Sequence, residues 1–379
     1  MKNFFCYLLI TGMIFISACQ NPLDEIDKVQ THIEDDDILN EQVFLSEDES
    51  KSELDAQKKD NRYAECKVEQ KEDYQKENVN QRDNKSNTMD NESIFVTVYY
   101  QDEKGTLVPV TRNIGNREGI AKASITSMID SDNNRKTLKL IGLKPVLPKG
   151  TEVLGINLED GLAVIDFNSK LLDYNTKQEE HNIFAGIVYS LTEFKTISSV
   201  RILVNGYNIE ELEYSGKIMN AMTRDNTLIN SEKLNIDNKT MKLDIYLFKY
   251  LDDNHEYLIP VSKEYIGITK DMLPIQMVSA LSKQPQNDNL YTQIPENVEL
   301  LSSSIADKVL TLDFSRDIKN YGGNEREAGL IRQILYTMKQ INGVEKVKII
   351  IEGKQDFLPE GTDISKALLL PEKINKIAF

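Results

Sequence analysis

One run of residues is written twice in this chain, and the doubling constrains the fold more than any other feature. The first copy contains Leu147-Pro148-Lys149-Gly150-Thr151, then Ala163-Val164-Ile165-Asp166-Phe167, then Val200-Arg201-Ile202-Leu203-Val204-Asn205-Gly206. The second contains Ile294-Pro295, then Leu310-Thr311-Leu312-Asp313-Phe314, then Val347-Lys348-Ile349-Ile350-Ile351-Glu352-Gly353. Pro148 and Pro295, Asp166 and Asp313, and Gly206 and Gly353 each lie 147 positions apart. An offset held over three landmarks marks a duplicated domain. A chain of 379 residues also exceeds one ordinary core, so at least two units are expected.

Each copy predicts the same succession of elements. Phe95 to Tyr100 and Leu107 to Val110 flank the turn Asp102-Glu103-Lys104-Gly105 and read as a hairpin. Leu243 to Phe248 and Leu258 to Val261 repeat it, with Tyr246 at the place of Tyr99 and Pro260 at that of Pro109. Short helices are predicted over Arg117 to Ile129 and Asp271 to Leu281, with Pro274 tolerable only in a first turn. Second hairpins follow: Val153 to Leu158 with Leu162 to Phe167, and Val298 to Ile305 with Val309 to Phe314. Thr176 and Glu179 have capping-box spacing before a helical stripe of Phe184, Ile187, Val188 and Leu191. Asn324 and Glu327 stand as the second copy's caps, before Ile331, Ile334, Leu335 and Met338. Single apolar faces and single stripes imply an α+β fold: two tandem two-layer domains, each a small, mostly antiparallel sheet with two helices on one face. The boundaries are set at 94–232 and 240–379.

The amino terminus belongs to targeting rather than fold. Lys2 supplies a positive charge, and Phe4 to Ile16 an apolar run too short to span a bilayer core comfortably. Ile16-Ser17-Ala18-Cys19 resembles a bacterial lipobox. It implies a signal peptide over 1–19, cleavage before Cys19, and membrane attachment through the diacylated Cys19; two acyl chains hold a protein stably where one is marginal. Of the other cysteines, Cys6 falls in the removed segment and Cys66 stands alone, so no intramolecular disulfide is available. Residues 20–93 carry 22 Asp or Glu against 10 Lys or Arg, with few apolar residues. That composition predicts a disordered acidic tether, roughly 50 Å from end to end as a flexible coil.

Composition and motifs say little for catalysis. The net charge of −16 argues against nucleic acid as a partner. Histidine occurs only at 32, 181 and 255, none with a second ligand at metal spacing. Neither a P-loop nor a Gly-x-Ser-x-Gly or Gly-x-Gly-x-x-Gly motif is present. The paired carboxylates Asp166 and Asp313 fall in separate copies, whereas an acid/base pair must share one site. They are expected to form surface ion pairs instead, Asp166 with Arg201 and Asp313 with Lys348. Catalytic, cofactor and metal sites are therefore expected to be absent; an envelope hydrolase using Asp166 or Asp313 is the weakest alternative.

Leu147 to Gly155, Gly161 to Phe167, Ile187 to Phe194 and Val200 to Gly206 resemble a GerMN domain. Ile294-Pro295, Leu310 to Phe314, Ile334 to Met338 and Val347 to Gly353 resemble a second, and Leu358-Pro-Glu-Gly-Thr-Asp-Ile-Ser365 resembles that domain's end. The second copy lacks Gly-Thr after Ile294-Pro295-Glu296, and the first lacks the Pro-Glu-Gly-Thr ending. The resemblance implies a fold similar to the ring-building motifs of secretion channels. It also implies a non-catalytic lipoprotein of endospore formers, needed for sporulation and germination. Such a protein would sit on the outer face of the mother-cell membrane, with partners in an envelope channel complex facing the forespore, and with self-assembly. The alternative reading is a ligand-binding lipoprotein that takes a cell-wall fragment or small solute in the cleft between its domains.

Overall fold

Strands β1 (Phe95–Gln101) and β2 (Leu107–Asn113) pair antiparallel from Phe95 with Asn113 to Gln101 with Leu107. This computed structural model describes residues 94–115, 119–218, 220–233, 239–252, 255–285 and 289–377. The expected signal segment with Cys19, the expected tether with Cys66 and His32, and Arg117 at the predicted start of the first helix lie outside them. Two short helices follow the hairpin, α1 (Ile120–Thr126) and α2 (Asp132–Lys139). Next come β3 (Val153–Glu159), β4 (Leu162–Phe167), α3 (Lys177–Leu191) and β5 (Ser199–Val204). Three two-residue strands close the repeat: β6 (Tyr207–Asn208), β7 (Glu211–Leu212) and β8 (Gly216–Lys217).

The second repeat runs β9 (Thr240–Asp252), β10 (His255–Ile266), α4 (Leu273–Leu281), β11 (Leu290–Tyr291), β12 (Leu300–Ala306), β13 (Val309–Phe314), α5 (Asn324–Met338), β14 (Lys346–Ile351) and β15 (Leu368–Leu369). Both repeats lie in one compact unit. The α+β class stands, with one refinement. The first repeat divides its strands among the β1-β2 hairpin, a four-stranded sheet of order β3-β4-β5-β6 and the β7-β8 pair; the second divides them between a three-stranded sheet of order β10-β9-β11 and a four-stranded sheet of order β12-β13-β14-β15. In each four-stranded sheet the central pair is parallel, because a 15-residue helix carries the chain back before the next strand. Both outer hairpins break register at one point, between Val153 and Gly155 and between Leu300 and Ser302, again 147 positions apart.

The predicted inward residues form the cores. Ala163, Ile165, Phe167, Leu310 and Leu312 are fully buried, and the helix stripes of α3 and α5 are buried. The cores are not separate, however. Tyr257 and Ile259 of β10 join the first repeat's cluster. Every residue of α3 from Glu180 to Leu191 is buried, because its second face meets the junction between repeats.

That junction has the reciprocity of a two-fold interface. Each repeat ends in an Ile-Asn pair whose asparagine is left-handed, Asn230 (φ 49°) and Asn375 (φ 46°). Ile229 exchanges two bonds of 2.8 Å with Ser262 of β10, and Ile374 exchanges two of 2.8 Å with Thr111 of β2. The Asn230 amide bonds N and O of Leu107 and donates to the Pro260 carbonyl; the Asn375 amide bonds N and O of Leu258 and donates to the Pro109 carbonyl. Proline explains the arrangement. With no N–H at Pro109 or Pro260, β2 and β10 cannot continue one sheet edge to edge, and the asparagine amides supply the missing donors.

Candidate functional site

The carboxylates singled out by the sequence anchor turns. The Gly206 N–H donates to Asp166 Oδ1 at 2.9 Å, and the Gly353 N–H donates to Asp313 Oδ1 at 2.9 Å. The expected ion pairs do not form. Asp166 registers with Leu203 and Arg201 with Val164, and the Arg201 Nε donates to the Asn220 carbonyl at 3.1 Å. Asp313 likewise registers with Ile350, and Lys348 with Thr311. The turn N–H lies nearer each carboxylate than the cation two positions back. Both turns hold two successive left-handed residues, Asn205-Gly206 and Glu352-Gly353, as a tight hairpin of this hand requires.

The helix starts differ from expectation in the second repeat. Thr176 caps α3, accepting from the Glu179 N–H at 3.1 Å, while Glu179 reaches back to Asn175 rather than Thr176. Asn324 is the first helical residue of α5, the cap position is Gly323 (φ 96°), and Glu327 is no cap. Its buried carboxylate accepts from the Tyr321 hydroxyl (2.7 Å) and the Glu360 and Thr362 N–H groups (both 2.8 Å). Burial alone would raise the Glu327 pKa; these donors outweigh it and hold the carboxyl below its usual range. Its counterpart Glu180 accepts from one backbone group, the Tyr214 N–H, at 2.9 Å. The Pro-Glu-Gly-Thr ending thus supplies two backbone donors that the first repeat lacks.

Neither described histidine lies in a metal cluster, and no group of three metal-ligating side chains occurs among the described residues. His255 Nδ1 faces Asp252 at 2.8 Å and its Nε2 faces the Leu140 carbonyl at 3.2 Å. His181 is buried; desolvation lowers its pKa, against the opposing pull of the Leu228 backbone.

The densest polar cluster, which the sequence did not reveal, fills the junction. Tyr99, Tyr189, Tyr246 and Tyr336 are each at most 6% exposed, and ring pairs Tyr99–Tyr189 and Tyr246–Tyr336 lie 5.4 and 5.5 Å apart. Asp244 accepts from Ser262 (2.6 Å), Tyr189 (2.7 Å) and Lys242 (2.9 Å). Burial pushes the Lys242 pKa down against the pull of Asp244. Arg224 donates to Glu193 at 2.6 Å and stacks 4.7 Å over the Tyr189 ring. Burial would raise the Glu193 carboxyl, but Arg224 and Lys339 hold it below its usual range. Asp102 and Lys249 pair at 2.9 Å, both buried. Charges so paired lock a joint.

Apolar side chains left uncovered lie elsewhere. The outer strands of the four-stranded sheets expose Leu154 (48%) and Leu158 (51%) in the first repeat, and Leu301 (51%) and Ile305 (52%) in the second. These are matching positions 147 residues apart.

Fold and junction define a tandem α+β repeat protein locked as an internal pseudo-dimer. The family model "Germane: Sporulation and spore germination" matches residues 97–210 and 244–357, two windows separated by the same 147 positions. The chain belongs to this family. "Spore germination protein GerM" of Bacillus subtilis (strain 168) is 26% identical over 297 residues, 76% of this chain and 80% of that protein. The solved tandem GerMN domains of the sporulation protein GerM from Bacillus subtilis share the fold, with TM-score 0.66 at 24% identity, covering 75% of this chain and 100% of that structure. No helix among the described residues is long and apolar enough to cross a membrane.

Proposed function

We propose that this chain is a non-enzymatic, lipid-anchored module for endospore formation and germination. It attaches through diacylated Cys19 to the outer face of the mother-cell membrane, and the acidic segment 20–93 gives it reach. Its two locked repeats act as a scaffold in an envelope channel complex facing the forespore, with protein partners and further copies of itself as neighbours. Family membership supports the sporulation role. The observation that carries assembly is the matched pair of uncovered apolar edge strands, Leu154/Leu158 and Leu301/Ile305. Sheet edges are usually protected by charge or proline, and apolar ones invite pairing. The packed tyrosine junction gives no support to a ligand cleft between the repeats.

The test replaces the edge residues in sporulating cells. L154E/L158E and L301E/I305E should leave the protein folded and at the membrane, yet abolish its co-purification with envelope-complex proteins and lower the yield of heat-resistant spores. Normal spore yield and unchanged co-purification in both variants would sink the assembly reading. Failure of Cys19→Ala to release the protein from the membrane would sink the anchor.

A further inference from the structure

Within the assembly reading above, on which this rests, we infer that the free edge of β12 takes an extended strand from a partner protein. That strand carries apolar residues at alternate positions and a lysine or arginine at each end.

β12 is the terminal strand of its sheet and pairs on one side only, with β13. Its sequence, Leu-Leu-Ser-Ser-Ser-Ile-Ala, holds neither charge nor proline, two devices that keep an edge from pairing. Every residue of it except Leu300 is exposed. Ile305 registers with buried Leu310 and Ser303 with buried Leu312, so both stand on the core side of the sheet. Ser302 and Ser304 register with Asp313 and Thr311, on the other side. An added strand extends the core with apolar side chains beside Ile305 and meets the outer serines with short polar ones.

Charge selects which strand fits. Exposed Glu299 and Asp307 bracket β12. Among the described residues no cation pairs with either, and neighbouring Lys308 is held by Glu345 at 2.6 Å. The bracket recurs in the first repeat, where exposed Glu152 and Asp160 flank β3, each 147 positions earlier. Asp160 and Asp307 both lie in the left-handed region, at φ 49°, which an aspartate suits. The glutamates have no such reason; among the described residues Glu152 and Glu299 bond through their backbones only. The same bracket opposes a second copy of this chain. Two-fold pairing of β12 with itself about Ser303 sets Leu301 against Ile305, but it also sets Glu299 against Asp307 at both ends. Like charges directly opposite destabilise a strand pair, and the net charge of −16 adds to the repulsion.

The first repeat guards its edge. β3 has Glu159 at the place of Ala306. The helices on the two edges differ as well, α1 on β3 and α4 on β12. Their buried stripes match, with Ala121 and Pro274, like Met128 and Leu281, 153 positions apart. Exposed Lys122 of α1 therefore stands where α4 has Ile275, which is 46% exposed. A cation there repels a basic strand, so the second repeat's edge is the docking site.

The full-length protein, in detergent, is titrated with three nonapeptides: Lys-Thr-Val-Thr-Val-Thr-Val-Thr-Lys, the same with glutamate at both ends, and the same with proline at its centre. The lysine-ended peptide should bind saturably, about 10-fold or more tighter than the other two, and should slow amide exchange in β12 but not in β3. E299Q/D307N, at two exposed positions, should weaken it about 10-fold, the combined effect of two end pairs, with Tm unchanged. Equal affinity for the glutamate-ended peptide would overturn the charge selection, and equal affinity for the proline peptide would overturn strand addition. Slowed exchange in β3 instead would overturn the choice of edge. Exchange in β12 that slows with rising protein concentration, without peptide, would make a second copy the occupant and overturn the partner strand. No peptide binding, alongside lost co-purification in L301E/I305E, would overturn this inference and leave the assembly reading standing. Binding of the lysine-ended peptide with co-purification unchanged in that variant would do the reverse.

Discussion

In the first repeat Thr97 and Thr111 share a neutral hydrogen bond of 2.8 Å between β1 and β2. The equivalent places in the second repeat hold Asp244 and Ser262, with Lys242 alongside. The same plan is thus neutral on one side of the two-fold and ionic on the other. The difference is sharpest at Asp102 and Lys249. They occupy equivalent positions 147 apart, and they pair with each other. Two first repeats facing one another would present two aspartates there, and two second repeats would present two lysines. The contact therefore favours the pairing of unlike repeats. Divergence after duplication has turned a self-complementary surface into one that chooses its partner, by repulsion as much as attraction.

The largest effect is expected from undoing that choice. Lys249→Asp places two carboxylates at a buried contact and should cost about 3–5 kcal/mol in chemical denaturation, the range for breaking a buried pair. Adding Asp102→Asn removes the repulsion while keeping an acceptor for the Lys104 and Thr106 N–H groups, so part of the loss should return. A double variant no more stable than Lys249→Asp would show that the two side chains are not coupled.

A smaller asymmetry separates the buried glutamates. Glu327 accepts from two backbone N–H groups and Glu180 from one. Glu327→Gln should cost about 2–3 kcal/mol, and Glu180→Gln about 1 kcal/mol. The pH dependence follows from the depressed Glu327 carboxyl. Its contribution is fully present above the ordinary glutamate range near 4.5 and is lost as pH falls through the lower folded value. Between pH 5 and 3 the wild-type protein should lose more stability than Glu327→Gln. Parallel stability curves for the two would remove the carboxylate from the account.

These particulars show what the sequence could disclose. Strands with a strict period of two and helices with four-point stripes were legible, because the burial that shapes them repeats along the chain. The helix α2 was not, since it buries only Leu138 and so carries no stripe. Glu327 was visible at its offset but read as a cap, because its partners, the Glu360 and Thr362 N–H groups, lie 33 and 35 positions away. Asn230 and Asn375 were invisible for a related reason. They are short polar residues in a loop, and their meaning comes from two prolines brought opposite them only by folding. Asp166 and Asp313 were expected to form ion pairs, but their partners are backbone groups, which no residue pattern displays.

The turns those aspartates hold differ in one residue. Asn205 and Glu352 occupy the same left-handed position, at φ 51° and 48°. Asparagine visits that region readily, whereas glutamate does so at a cost. The Glu352 side chain is exposed, and its backbone N–H donates to the Phe314 carbonyl at 3.0 Å, a bond any residue but proline would keep. Glu352→Asn should therefore stabilise the protein by about 1 kcal/mol, and Asn205→Glu should destabilise it by a similar amount, both read from denaturation midpoints. If Asn205→Glu were neutral, the first repeat's turn would be held by Asp166 alone, and the match between the two turns would extend to their hydrogen bonds but not to their strain.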